Sequence, residues 1–109
     1  MSALTLDERW FDRAVQALVD AFHPRKVVLF GSHARAEARA DSDVDLLVIA
    51  ETELDPVERS YRAQRAIGRR PVPVDVLVYT PAEIALYGAW TSSVAHAALR
   101  EGKTVYEAA

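Results

Sequence analysis

The fold is decided by the segment VVLFGSHARAEARADSDVDLLVI, residues 27–49 of a chain of 109 residues. Its first four residues are apolar, rich in β-branched side chains and followed by Gly31, which predicts a short buried strand. Its last apolar run predicts a second buried strand that begins near Asp43. The segment therefore places a Gly-Ser pair at the end of one strand and two aspartates at the start of the next.

Helical patterns lie before and within this segment. Thr5 and Glu8 form a capping-box pattern, and the apolar residues that follow recur at helical spacing, which predicts a helix over residues 6–22. The alanines and arginines of residues 34–40 predict about two further turns of helix.

A helix and a third strand follow the decisive segment. Asp55 is an N-cap residue before a proline, which predicts a helix over residues 56–67. Alternating valines predict a strand over residues 72–79, with Asp75 on the face opposite the valines. Pro73 must then lie at the start of that strand or on an edge of the sheet.

The C-terminal part of the chain predicts short helical segments and a tail. Thr80 begins the first segment, either Ser92 or Ser93 begins another, and Gly102 marks a helix end with a short tail after it.

Composition narrows the classes of function. The chain has 13 Lys and Arg residues against 16 Asp and Glu residues, a formal net charge of −3, which argues against direct nucleic-acid binding by the molecule as a whole. It has no cysteine, so disulfides and thiolate metal sites are excluded. No segment has the roughly 20 apolar residues of a membrane span, and the N-terminus lacks a signal-peptide pattern. We expect a single cytoplasmic domain over residues 1–109, without membrane contact.

Three aspartates carry the chemical signal. Asp43 and Asp45 share one face of a strand at about 6.5 Å spacing, so both carboxylates can reach one cation or a pair of cations. Asp75 adds a third acid within the run of valines. Because hard oxygen donors suit Mg²⁺ or Mn²⁺ rather than Zn²⁺, the three residues predict a divalent metal site. The alternative is a solvated strand end.

The position of these residues predicts the topology of the sheet. The Gly-Ser pair ends the first strand, whereas the aspartates lie near the starts of the second and third strands. All of them meet at one edge only if the first and second strands are antiparallel and the second and third are parallel. We therefore expect an α/β (α+β) fold with a small mixed β-sheet flanked by helices, in which residues 56–67 form the crossover.

This meeting point has the parts needed for triphosphate chemistry. Gly31 lets a phosphate approach the backbone, Ser32 offers a hydroxyl group, and Arg35 can add a guanidinium. Two cations would clamp the attacking and leaving oxygens of an in-line displacement, and Asp75 could help deprotonate the attacking hydroxyl. Ser32 could instead be only an N-cap, and Arg35 only a member of a surface salt bridge.

The chain resembles, over most of its length, the minimal nucleotidyltransferase (MNT) domains of the DNA polymerase beta superfamily. The resemblance rests on segments in the family's order and spacing: Gly31-Ser32-x-Ala34-Arg35, Ser42-Asp43-x-Asp45-Leu46-Leu47-Val48, Val74-Asp75-Val76, and Arg100-Glu101-Gly102 through Val105-Tyr106. It implies that Asp43, Asp45 and Asp75 are the catalytic and metal-binding triad, that Gly31 and Ser32 bind the nucleotide, and that Arg35 contacts its phosphates. Ala36 stands where the family often has glycine.

The resemblance also implies an activity and a partner. Many such domains act as antitoxins that transfer AMP from ATP to a tyrosine of a helical HEPN toxin, and we expect two Mg²⁺ ions, or Mn²⁺ in their place. We therefore expect a protein adenylyltransferase whose acceptor arrives on a HEPN-type partner or on a second copy of this chain. The alternative is a non-catalytic binding module of the same fold that covers its partner's active site.

Several other features have simpler explanations. A basic run along and after the helix of residues 56–67 predicts a solvated arginine face, and a surface that meets ATP, RNA or a partner is the alternative; the run consists of Arg59, Arg62, Arg65, Arg69 and Arg70. The three histidines lack metal-ligand spacing, and the aromatic residues of the first helix fit a core. The segment Leu86-Tyr87-Gly88-Ala89-Trp90 is our candidate contact surface for a partner, and packing into the chain's own core is the alternative.

Overall fold

The computed structural model describes residues 7–38, 42–90 and 92–109. The elements within these ranges are, in chain order, α1 (Glu8–Phe22), β1 (Lys26–Phe30), β2 (Val44–Ile49), α2 (Pro56–Ile67), β3 (Val74–Tyr79), α3 (Pro81–Tyr87), α4 (Val94–Glu101) and β4 (Lys103–Glu107). In this described part of the chain, no helix has both the length and the apolar character needed to cross a bilayer.

The strands form one mixed sheet in the order β3-β2-β1-β4. β1 is antiparallel to β2 and to β4, whereas β2 and β3 are parallel. α2 is the crossover between the parallel strands. This topology confirms the mixed sheet predicted from the sequence. Pro73 directly precedes β3, which is an edge strand, so its missing N–H costs no ladder hydrogen bond.

The two faces of the sheet are covered by different helices. Leu46 and Val48 point toward α1 and α2, where they join Leu18 in the larger core cluster. Leu47 points the other way and packs against Ala98 of α4. Because successive side chains of a strand alternate between faces, β2 is buried on both sides. This explains why its sequence is a continuous apolar run rather than an alternating one.

The ends of α1 are set by local capping groups. The Asp7 carboxylate accepts hydrogen bonds from the backbone N–H groups of Arg9 at 2.9 Å and Trp10 at 3.3 Å, so the helix begins at Glu8. The cap predicted at Thr5 lies outside the described residues. At the other end, His23 has a φ of 47° and its N–H bonds back into the last turn.

The helix predicted over residues 34–40 is wrong for its described part. Residues 32–36 form a turn in which the N–H groups of Ala34 and Arg35 both bond to the Gly31 carbonyl at 3.1 Å. Ala36 has a φ of 60°, a left-handed conformation that a continuing helix excludes. Residues 39–40 lie outside the described ranges. The Gly-Ser pair therefore opens a turn rather than a helix, and Ser32 is not an N-cap.

The predicted tail forms a fourth strand. β4 pairs with the edge of β1 that β2 leaves free, and Val27 lies opposite Tyr106. Only Val105 and Tyr106 in this strand are partly buried, and they pack against the larger core. The tail prediction failed because this strand is defined by backbone pairing rather than by an apolar pattern.

The helix boundaries in the second half of the chain agree with the sequence. α2 begins after an Asp55 cap, α4 begins after a Ser93 cap, and the Thr80 capping box is formed on both sides. One arginine of α2 departs from the predicted solvated face, because Arg59 is buried. Its guanidinium donates to the backbone carbonyl oxygens of Leu54 and Val78 and to the carboxylate of Glu83.

Candidate active site

Strand register brings two of the predicted acids side by side. Asp45 of β2 pairs with Asp75 of β3 in the parallel register, and Phe30 of β1 pairs with Asp45 on the other side. Gly31 directly follows Phe30, so the Gly-Ser turn lies at the same edge of the sheet as the aspartates. The edge predicted from the sequence therefore forms.

Asp45 is in an electrostatically strained position. Burial raises the pKa of its carboxyl above the ordinary 3.8, and the neighbouring carboxylates of Asp75 and Asp43 raise it further. His33 and Arg35 act in the opposite direction but do not cancel the rise. Asp43 and Asp75 are exposed, whereas Asp45 is half-buried between them. Concentrated negative charge on these three residues favours a bound cation.

Gly31 makes room for the Asp45 carboxylate. Gly31 has a φ of +77°, and a Cβ at this position would overlap Oδ2 of Asp45 and lie 3.1 Å from its Cγ. Only a residue without a side chain fits here. The sequence predicts that Gly31 lets a phosphate approach the backbone, and the structure adds a second reason for a glycine here, which is the placement of Asp45.

The turn after Gly31 holds the other predicted phosphate contacts. The hydroxyl group of Ser32 has no hydrogen-bond partner among the described residues. The His33 ring lies 3.2 Å from the Ser42 carbonyl oxygen and so connects this turn to the segment before β2. Arg35 is exposed and pairs with Glu37 at 2.9 Å and with Glu101 at 3.2 Å. A phosphate would have to replace these carboxylates to bind Arg35.

A cleft of about 440 Å³ opens beside the paired acids. Its lining combines the carboxylates with apolar, aromatic and neutral polar side chains: Asp45, Asp75, Phe30, Leu77, Tyr79, Val76, Val94, Ser60 and Gln64. The aspartates share their sheet face with Leu77 and Tyr79 because alternate residues of β3 point the same way. The cleft therefore offers a charged end and an apolar wall to a bound molecule.

The donor set fits a hard divalent cation. The three aspartates supply only carboxylate oxygens, the ligands that Mg²⁺ and Mn²⁺ prefer, and the raised pKa of Asp45 marks charge repulsion that a cation would relieve. Across residues 7–38, 42–90 and 92–109, no group of three or more acidic, histidine or cysteine side chains is already arranged to hold a metal ion. The metal assignment therefore stays a prediction that rests on residue type and proximity.

Comparison with known proteins identifies the family. The family model for the nucleotidyltransferase domain matches residues 9–97, which include all three aspartates and the Gly-Ser turn. This chain belongs to the nucleotidyltransferase domain family. No curated protein matches its sequence. The nucleotidyltransferase domain is also similar to a crystal structure from Sulfolobus solfataricus described as a "putative nucleotidyltransferase", at 20% identity and a TM-score of 0.65. The match covers 91% of this chain and 78% of the other and shows a shared fold.

The apolar wall of this nucleotidyltransferase cleft was not predicted from the sequence. Phe30, Leu77 and Tyr79 were assigned only to strands, although they lie on the same sheet face as the aspartates. The signal was available, since residues 75, 77 and 79 alternate with buried valines in β3. Val94 could not have been found in this way because it reaches the cleft from α4.

Proposed function

We propose that this domain transfers a nucleoside monophosphate, with AMP from ATP as the first candidate, to a hydroxyl group. The observation that carries the proposal is the pairing of Asp45 with Asp75 beside the Gly31-Ser32 turn, in a member of the nucleotidyltransferase family. The family supplies the reaction class, and the site residues supply the groups that the reaction needs.

Each group has a distinct part in this proposal. Ser32 donates its hydroxyl to a phosphate oxygen, and Arg35 exchanges its exposed carboxylate partners for a phosphate. Such an exchange is easy because exposed ion pairs are weak. Asp43, Asp45 and Asp75 would hold two Mg²⁺ ions, or Mn²⁺ as the alternative, which would neutralise charge on the triphosphate and on the leaving group.

The transfer is an in-line displacement at the α-phosphorus. The acceptor oxygen forms a bond to this phosphorus, the bond to the oxygen that bridges to the β-phosphate breaks, and pyrophosphate leaves with that electron pair. The acceptor's hydroxyl proton passes to the Asp75 carboxylate, which is exposed and stands next to Asp45.

The acceptor in this proposal belongs to a protein partner. Leu86, Trp90 and Val94 are each more than half exposed, at 54%, 55% and 53%, and Val94 also lines the cleft. Exposed apolar side chains, one of which lines the cleft, suit a folded partner that presents a hydroxyl there. On the family resemblance, the partner is a HEPN-type toxin, the acceptor is a tyrosine, and the domain acts as an antitoxin. A second copy of the chain is the alternative partner.

The same exposed surface also favours a second function. A binding module could neutralise its partner through Leu86 and Trp90 without any transfer. The two functions differ in whether the aspartates are needed, and substitutions at Asp43, Asp45 and Asp75 separate them.

Thermal unfolding with Mg²⁺ and ATP tests the nucleotide site. A ligand at ten times its Kd adds about 1.4 kcal/mol, which raises the Tm of a domain of this size by several degrees. We expect this rise in the wild type and in Asp12→Asn, an exposed control on α1, and its loss in Asp43→Asn/Asp45→Asn. An equal rise in all three proteins would show that the nucleotide binds elsewhere.

A further inference from the structure

A second charged surface lies along the seam between α1 and α2, which cover the sheet face opposite Asp45 and Asp75. Two open hollows of about 440 Å³ and 420 Å³ lie along this seam, one near the C-terminal end of α1 and the other near its N-terminal end. Their charged lining consists of five arginines and two acids: Arg13, Arg62, Arg65, Arg69, Arg70, Asp7 and Glu58. We call this surface the arginine seam.

Among the described residues, the arginines of the seam have no ion-pair partner. Within the described ranges of the chain, no carboxylate lies within 4.0 Å of a guanidinium nitrogen of these arginines. Outside the seam, Arg25, Arg35 and Arg59 each pair with a glutamate, whereas Arg9 and Arg100 have no carboxylate partner among the described residues. Within the seam, Arg70 turns back onto Gln64 and the Gly68 carbonyl. Four guanidinium groups remain available to an anion.

An exposed aromatic ring accompanies these charges. Tyr61 is 58% exposed and lines the same hollow as Arg62 and Arg65. The Arg65 guanidinium lies 5.7 Å from the centre of the Tyr61 ring and donates to its hydroxyl group at 3.1 Å. The Arg65 guanidinium covers one face of the Tyr61 ring, and the hollow lies beside the ring. A flat base can therefore stack on Tyr61.

We propose that the arginine seam binds a single-stranded nucleic acid, with its arginines on the phosphates and Tyr61 against a base. Arginine forks match phosphate oxygens, and two shallow hollows in line suit an extended polymer better than a compact ligand. The net charge of −3 does not oppose this, because at physiological salt a phosphate responds to charges within about 8 Å rather than to the whole molecule. An acidic protein partner would pair with the arginines but would not account for the exposed Tyr61 ring beside them.

Fluorescence anisotropy with labelled 20-nucleotide oligouridylate and oligothymidylate tests this proposal. The titration uses the full chain with EDTA and without nucleotide, so it does not depend on the transfer activity. Four phosphate contacts predict a slope of about −2.8 for log affinity against log salt, a loss of about 50-fold between 50 and 200 mM. Arg62→Ala/Arg69→Ala is expected to bind more weakly, with a slope of about −1.4.

The control variants remove the same number of positive charges outside the seam, or keep the aromatic ring of Tyr61. Arg100→Ala/Lys103→Ala also removes two exposed positive charges, outside the seam, and is expected to bind like the wild type. Tyr61→Ala is expected to weaken binding about 5-fold or more, whereas Tyr61→Phe keeps the ring and the affinity. The substituted arginines Arg62 and Arg69 are exposed, and their side chains have no polar partner among the described residues, so these variants should fold.

Four results would overturn the proposal. They are the absence of salt-dependent binding to the wild type, equal losses in the two double variants, wild-type affinity in Tyr61→Ala, and oligoglutamate binding as tight as oligonucleotide binding. In a separate titration with Mg²⁺ in place of EDTA, displacement of the oligonucleotide by ATP from the wild type but not from Asp43→Asn/Asp45→Asn would place it at the aspartates and would also overturn the proposal.

Discussion

Replacing Gly31 with alanine should destabilise the protein through Asp45. The added Cβ would overlap the Asp45 carboxylate oxygen Oδ2 and lie 3.1 Å from Cγ and 3.4 Å from Cβ. The carboxylate must therefore leave its place beside Asp75. We therefore expect the substitution both to lower the free energy of unfolding and to displace the Asp45 carboxylate from the site.

The expected magnitude is the sum of two costs. An alanine at positive φ costs about 1–3 kcal/mol in backbone strain. Forcing a methyl group into filled space costs about another 1–3 kcal/mol. At roughly 4 °C per kcal/mol for a domain of this size, the Tm should fall by about 8–24 °C. In an Asp45→Ala background only the first cost remains, because the retained Cβ at 3.4 Å is near ordinary contact distance.

Urea and thermal unfolding of the wild type, Gly31→Ala, Asp45→Ala and the double variant measure this coupling. We expect Gly31→Ala to cost about 1–3 kcal/mol less when residue 45 is alanine. Gly68→Ala is the matched control, since Gly68 has a φ of +68° and no atom within 4 Å of the added Cβ. Equal costs of Gly31→Ala in both backgrounds would refute the reasoning.

Two further predictions concern charge and the exposed surface. The raised pKa of Asp45 means that its contribution to stability is full below the ordinary value of 3.8 and is lost as pH rises through the raised pKa. Asp45→Asn should therefore be at least as stable as the wild type at pH 7 and should lose this advantage below about pH 4. Urea unfolding at the two pH values measures the difference, and the reverse trend would contradict the prediction. Trp90→Ala should lower the Tm by no more than a few degrees, because Trp90 is 55% exposed and packs edge-on against Tyr87 with ring centroids 5.4 Å apart, and should weaken partner binding by at least about 2 kcal/mol, measured by calorimetry. A loss of folding stability with unchanged affinity would instead place Trp90 in the chain's own packing.

The sheet topology could be predicted because chemistry constrained it. The Gly31-Ser32 pair and the aspartates can meet only with one antiparallel and one parallel strand pair, and the register of Asp45 with Asp75 agrees. The helix starts at Asp55, Thr80 and Ser93 could be predicted because each cap is local. In each, the side chain accepts a hydrogen bond from the backbone N–H three residues later.

The missed features depend on distant partners. β4 exists because β1 has a free edge, and the buried position of Arg59 depends on Leu54, Val78 and Glu83 from separate segments. The turn after Ser32 is a separate case, since alanine favours helix but Ala36 has a left-handed φ of 60°. The roles of Asp43, Asp45, Asp75, Gly31, Ser32 and Arg35 stay predictions until variants are measured.

Label transfer from ATP labelled at the α-phosphate tests the transferase function most directly. The wild type, with Mg²⁺ and a HEPN-type partner protein, is expected to attach the label to the partner, and mass spectrometry then locates the added AMP. Asp75→Asn is expected to keep partner binding and lose nearly all transfer, because the change removes charge at almost constant size. Absence of label transfer by the wild type, together with full partner neutralisation by Asp43→Asn/Asp45→Asn, would contradict catalysis and establish a binding module.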